Sequence, residues 1–446
     1  MTGLAASGLA VVPWRASGQT VIALRDRVPA SADAGPALQR ALDQLEAGGG
    51  GTLRLDGRRR GGHLHIRGSN ITIDGAGSVL LDTRLVIAPT ARGVTVRDLT
   101  ILETRADPDG YLLDISGSGC FFENVRLEKR PMAGGYQGYL RAQSQGCRFT
   151  GLQLAGSNGL FVAGTDHLFD GFEFISTLRY DVGGDDAFAI KAAGTLTRNI
   201  TIRNGIVRGF AAAVSIGSEI GSNSEFPAQG KVSGITVHNV TADRCQMLAS
   251  LKPGALIYDW RDGIVEDISL SQLRLIDRGG FLFARGIAIS AARGATVRGL
   301  VARDIVIAAR AHSQGVMPTA AVDIVIRPDG RPATIEDMDL ALSFDGSGES
   351  GYPVDHIVRV EKDSPAVGRM RNISIDVEGS HSRISGVYIG SGLDDAVSIR
   401  RARLEKIGLN PPSSLGAAGI WSDSRFRATD VRITTARVPQ RGGRLG

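Results

Sequence analysis

Apolar and polar residues alternate along most of this chain in short runs, each opened by a Gly, Asn or Arg. Asn70-Ile71-Thr72-Ile73, Gly93-Val94-Thr95-Val96 and Gly119-Cys120-Phe121-Phe122 begin the series. Asn199-Ile200-Thr201-Ile202, Gly234-Ile235-Thr236-Val237 and Asn372-Ile373-Ser374-Ile375 continue it. A period of two is that of a strand with one face buried. Neighbouring copies recur roughly every 20 to 37 residues, within the range of solenoid repeats. Only one segment has helical spacing: Leu38, Ala41, Leu42 and Leu45 share a face, Pro36 suits a first turn, and the glycines at 48–51 end the helix.

Strands repeating without crossover helices exclude a doubly wound sheet, because parallel neighbours there are joined by helices. A propeller needs a hairpin in every blade, and Asn-Gly or Asp-Gly hairpins are few. A coil of strands remains, in which each turn stacks on the last and the alternating apolar residues fill one continuous interior. The predicted fold is therefore all-β, a parallel β-helix whose open N-terminal end is covered by the helix at Pro36 to Glu46. Residues 31–438 form this single domain. Residues 1–30 precede it as the remnant of an export signal or as an edge strand, and 439–446 form a disordered tail.

Composition agrees with a turn-rich coil: 59 of 446 residues are Gly and only 5% are aromatic. The net charge of +5 admits an acidic partner such as a uronate polysaccharide. The Arg residues are nevertheless interspersed with Asp and Glu, and the one dense run, Arg58-Arg59-Arg60, falls in a turn without interleaved aromatics, so a nucleic-acid surface is not expected. No apolar run approaches the ~18 residues of a membrane span. Three Cys without CxxC spacing argue against a disulfide framework or a zinc site. Cys120 and Cys147 each follow a Gly at the start of a similar strand, as equivalent core positions in successive repeats would.

The chemistry concentrates at Gly183-Gly184-Asp185-Asp186-Ala187-Phe188-Ala189-Ile190-Lys191. Adjacent residues on a regular strand face opposite ways, so both carboxylates serve one site only where the backbone bends, and the Gly pair is the expected place. Counting repeats puts Asn158 one turn before the pair, Ser215-Ile216-Gly217-Ser218 one turn after it, and Lys252 in the turn beyond. His167, Arg179 and Tyr180 lie upstream and Trp260 downstream, as candidates for a cleft that holds sugar.

Gly184-Asp185-Asp186, followed by Asn199-Ile200-Thr201-Ile202 and Ser215-Ile216-Gly217-Ser218, resembles the polygalacturonase family of glycoside hydrolases over roughly residues 156–255. The whole chain is similar to the right-handed parallel β-helix of pectin-degrading enzymes. The resemblance implies an inverting hydrolase of a polysaccharide, acting outside the cytoplasm without a cofactor. Asp185 would be the general acid and Asp186 would help activate water, while Asn158, Lys252 and Lys191 would hold the sugar. Three positions depart from the family pattern: Asn158 and Ala212 stand where the family has Asp and His, and Ser250-Leu251-Lys252 keeps only the Lys of Arg-Ile-Lys. An echo at Gly392-Leu393-Asp394-Asp395-Ala396 shows that paired Asp can also serve a turn. Two alternatives follow. One is a lyase acting on a uronate glycan, with Lys191, Lys252 or Tyr180 as base and the Asp pair binding calcium. The other is a non-catalytic, glycan-binding coil like a phage spike.

Overall fold

A computed structural model describes residues 20–23, 33–105, 110–129, 135–178, 184–254, 259–276, 285–309, 320–347, 354–363, 367–407 and 419–435. The tail 439–446, nearly all of segment 1–30, and both Arg179 and Tyr180 lie outside these residues. Every pairing between the strands of the described residues is parallel, and the strands make two sheets of 19 and 13 members. In the smaller sheet consecutive coils are neighbours in order, from His63–Ile66 to Ile420–Ser422. This is a right-handed parallel β-helix.

The larger sheet covers two sides of the coil. Early coils reach it as two short strands, such as Phe121–Glu123 and Arg126–Lys129, on either side of Asn124. Later coils cross it as one strand of 13 residues, as in Leu196–Arg208 and Lys231–Asp243, bent at Asn204 and Asn239. Asp98, Asn124, Asn204, Asn239, Gln272 and Asp304 all hold φ between 49° and 57° at this bend. Gly151 and Gly171 supply the same backbone in the coils between. Asn and Asp tolerate left-handed φ better than other residues with a Cβ. Their side chains also bond from coil to coil: Asn124 Nδ2 donates to Asp98 Oδ1 at 3.0 Å, and Asn239 Nδ2 to Asn204 Oδ1 at 2.9 Å. These residues are therefore stacked corners, and Asn70, Gly93, Gly119, Asn199, Gly234 and Asn372, which open the runs, hold φ between 52° and 65° at a second corner.

Inside, Phe122, Phe149 and Phe169 stack in successive coils with centroids 4.6 and 4.7 Å apart. Cys120 and Cys147 occupy neighbouring coils as fully buried free thiols. The helix Gly35–Ala47 buries Leu38, Ala41, Leu42 and Leu45 over the first coil. Gln39 also completes the edge strand: its Oε1 accepts from the His65 N–H at 2.8 Å and its Nε2 donates to the His65 carbonyl at 2.9 Å. The helix thereby satisfies a backbone N–H and carbonyl at the open edge of His63–Ile66. The segment 58–60, expected as a turn, is a strand paired with Val79–Leu81, and Arg59 is buried beside Asp56. No helix of the described residues is long and apolar enough to cross a membrane.

Candidate active site

The 13-stranded sheet carries the site because its alternation skips a beat in coil after coil. Ala187 and Phe188 both belong to the core, as do Ala213 and Val214, Leu248 and Ala249, Ala321 and Val322, and Ile357 and Val358. Two inward residues in succession bring the residues on either side of them to the outer face together. Asp186 thereby shares that face with Ala189 and, one coil on, with Ser215. A break in the alternation is present just after the carboxylates, at Ala187-Phe188. Gly183 lies outside the described residues.

The register brings the predicted column together. The Gly159 N–H donates to the Asp186 carbonyl at 3.0 Å and the Asp185 N–H to the Ser157 carbonyl at 3.1 Å, so Asn158 stands one coil before the pair. Ala212 pairs with Asp186 one coil after it. Lys252 ends the strand Met247–Lys252, and its Nζ reaches back to 3.8 Å from Asp186 Oδ2.

The two carboxylates have different surroundings. Asp185 is exposed, while Asp186 is only 3% exposed. Burial pushes the Asp186 carboxyl above the ordinary aspartate range, with Asp185 adding to the shift and Lys252, Ser215 and Lys191 opposing it. Ser215 is fully buried in the next coil, with its hydroxyl directed to the Asp186 carboxyl. Desolvation also holds the Lys191 ammonium below its usual range, against the pull of Glu219 and Asp186. Lys191 donates to Ser218 Oγ at 2.8 Å and lies 3.8 Å from Glu219 Oε1. Ser218 holds φ of 49° in an irregularity of the ladder, a backbone that few non-Gly residues adopt. Thus the Ser-Ile-Gly-Ser segment forms a bulge that fixes a buried cation beneath the carboxylates.

Three aromatic residues that the sequence reading did not single out complete the site. Tyr136 Oη lies 3.5 Å from Asp185 Oδ2, and burial with the charges of Asp185, Asp186 and Glu219 drives its phenol far above the normal range. Its ring meets Tyr139 and Phe161 edge-on at 5.9 and 5.8 Å. Tyr139 and Phe161 occupy the outer-face position of the two coils before Ala189, and both are half-buried. The carboxylates therefore adjoin a step of aromatic rings.

Other predicted residues lie elsewhere. His167 is 1% exposed, with Nε2 between Ser144 Oγ at 3.0 Å and the Ala163 carbonyl at 3.1 Å and Nδ1 accepting from the Cys147 N–H at 3.2 Å. Burial holds it near a pKa of about 4, so it is a neutral core residue and does not line a sugar cleft. Trp260 is 6% exposed beneath Phe226, whose ring stacks on it at 5.8 Å, so its faces are not free for a sugar. Lys191 is sequestered and can act only through its neighbours. The echo pair Asp394 and Asp395 is exposed and holds Arg425, whose N–H donates to Asp394 Oδ1 at 2.7 Å. It serves a turn. Calcium does not fit the Asp185-Asp186 site: no three His, Cys, Asp or Glu side chains among the described residues converge as ligands, and two ammonium groups flank Asp186.

No protein-family model and no curated protein matches the sequence. Among solved structures, a mutant tailspike protein of E. coli bacteriophage HK620 in complex with a hexasaccharide superimposes with a TM-score of 0.50 at 11% identity, over 91% of this chain and 77% of that one. A double mutant of the same tailspike gives 0.51 at 11% identity with the same coverage. An exopolygalacturonase from Thermotoga maritima gives 0.46 at 13% identity, over 90% of this chain and 94% of that one. The likeness to the tailspikes is one of fold.

Proposed function

We propose that this protein hydrolyses a polysaccharide laid across the outer face of the 13-stranded sheet, with Asp186 as general acid and Asp185 as the base that activates water. The observation that carries the reading is the contrast within the pair: one carboxyl buried and shifted toward its protonated form, the other exposed. An inverting glycosidase needs one of each, with room for water. The roles are exchanged relative to those implied by the polygalacturonase resemblance, because the desolvated group keeps its proton to higher pH. Asn158 cannot accept a proton and serves as a hydrogen-bonding partner for the sugar, as does Lys252. The aromatic step offers flat apolar faces with polar edges, which suits pyranose rings.

Elimination is less well supported. A lyase base must give up its proton readily and reach the substrate, but the Tyr136 phenol is shifted the opposite way, and Lys191, although its ammonium is lowered by desolvation, is buried against Ser218 and Glu219 away from a substrate. A polymeric glycan substrate is in keeping with action outside the cytoplasm.

The test is product analysis on polygalacturonate and on a neutral glucan. Hydrolysis releases saturated reducing ends, whereas elimination produces ultraviolet-absorbing unsaturated ends. Asp186→Asn should lower release by about 100-fold or more, the usual contribution of a positioned acid. Undiminished release by the folded variant refutes the assignment. Retention of a polymer without any cleavage establishes the binding-only coil instead.

A further inference from the structure

The outer-face position that holds Tyr139 and Phe161 can be followed through the rest of the sheet. It passes to Ala189, Ser215, Ser250 and Ala288, which are all small, and then to Asp323 and Arg359. Arg359 is fully engaged there: Nε and Nη2 donate to Asp323 at 2.7 and 3.0 Å, and Nη1 donates to Glu361 at 3.0 Å. The next two positions are Tyr388 and Trp421, both half-buried. Four small, mostly buried residues and the Asp323–Arg359 ion pair therefore separate two aromatic ends, and the carboxylates lie close to one of them.

The far end is rigid. The Tyr388 ring packs nearly parallel on His356 at 5.1 Å and 21°, and meets Trp421 edge-on at 5.4 Å. The Tyr388 hydroxyl donates to Asp423 Oδ2 at 3.3 Å. His356 is itself fixed by Ser385 Oγ, 2.8 Å from Nδ1. Half-exposed rings locked by such contacts lose little freedom when a ligand stacks on them. Six strand spacings separate Asp186 from Tyr388, a span on the order of 30 Å.

We propose that Tyr388 and Trp421 form a distal subsite that stacks a sugar ring of the same glycan, with Asp423 accepting from its hydroxyls, so that the protein selects long chains. The proposal rests on the glycan reading above. A chain too short to span the interval between the two aromatic ends reaches the carboxylates alone. A longer one gains a second anchor through its own continuity, which raises overall affinity without changing the chemistry at Asp186.

The experiment is affinity electrophoresis in gels carrying polygalacturonate or a neutral glucan, using the native protein, Trp421→Ser and Tyr388→Leu. The trimer of the retained sugar is titrated separately. The polymer should be held three- to tenfold more weakly by each variant, trimer affinity should stay unchanged, and Trp421→Phe should restore retention. Variants that melt like the native protein and keep full retention overturn the distal subsite while leaving the glycan reading intact. An equal loss of trimer binding also overturns it. A native protein retained by neither polymer refutes both.

Discussion

Replacing Lys252 with Met tests which carboxylate is the acid. The Lys252 ammonium lies 3.8 Å from Asp186 Oδ2 and favours its ionised form. At an effective dielectric constant of about 20, that separation corresponds to roughly 4 kcal/mol. The Lys side chain is 31% exposed, so solvent screening reduces the realised effect to about 1–2 kcal/mol. This is on the order of a tenfold increase in the affinity of Asp186 for its proton. Met keeps most of the apolar stem, so packing changes little. If Asp186 is the acid, activity is lost where it deprotonates, and the alkaline limb of the kcat/KM profile moves up by about one pH unit in the variant. The assays are the pH-rate profile and an NMR titration of the Asp186 carboxyl carbon. An unmoved carboxyl titration refutes the electrostatic coupling. A shift of the acid limb alone returns the base role to Asp186.

Phe149→Ala removes the middle ring of the interior stack and should cost about 3–5 kcal/mol, read from denaturant unfolding; a loss below ~1 kcal/mol would mean the coil repacks around it. His167 and His356 are buried with pKa values of about 4, below the ordinary 6.5, so their contribution is present above pH 6.5 and lost as pH falls toward 4. Each is worth up to roughly 3 kcal/mol, and His167→Gln should flatten the decline of the urea midpoint between pH 7 and 5; an unchanged slope rejects the neutral-core assignment of His167. Asp394→Asn with Asp395→Asn should leave glycan retention and cleavage unchanged and alter stability by less than about 1 kcal/mol, because the pair holds only exposed Arg425; loss of activity would make the echo a second site.

The architecture was legible because its causes are local. Period-two alternation marks the strands, and the corners need left-handed φ, which favours Asn, Asp and Gly in a visible column, with Gln272 as an exception. Parallel stacking then lets repeats be counted, and this is how Asn158, Asp186 and Lys252 could be placed together across nearly one hundred residues. What the local pattern hid was the skipped beat at Ala187-Phe188: two apolar residues in a row read as an ordinary buried run, yet they decide which face Asp186 takes. Tyr139 and Phe161 were missed for the same reason, since each sits between core residues and differs from Phe149 or Phe169 only in the face it presents. His167 and Trp260 were misplaced because nothing adjacent to them signals burial. Their surroundings come from coils 20 or more residues away, as with the hydrogen bond from Cys147 to His167.

The most direct measurement is a crystal structure of the Asp186→Asn variant soaked with an oligosaccharide of the polymer that the native protein retains. The account predicts a sugar chain along the outer face of the 13-stranded sheet, with a glycosidic oxygen within hydrogen-bond reach of position 186 and a ring against the Tyr139 and Phe161 step. A chain bound on the 19-stranded sheet, or one crossing the coil away from position 186, would contradict it.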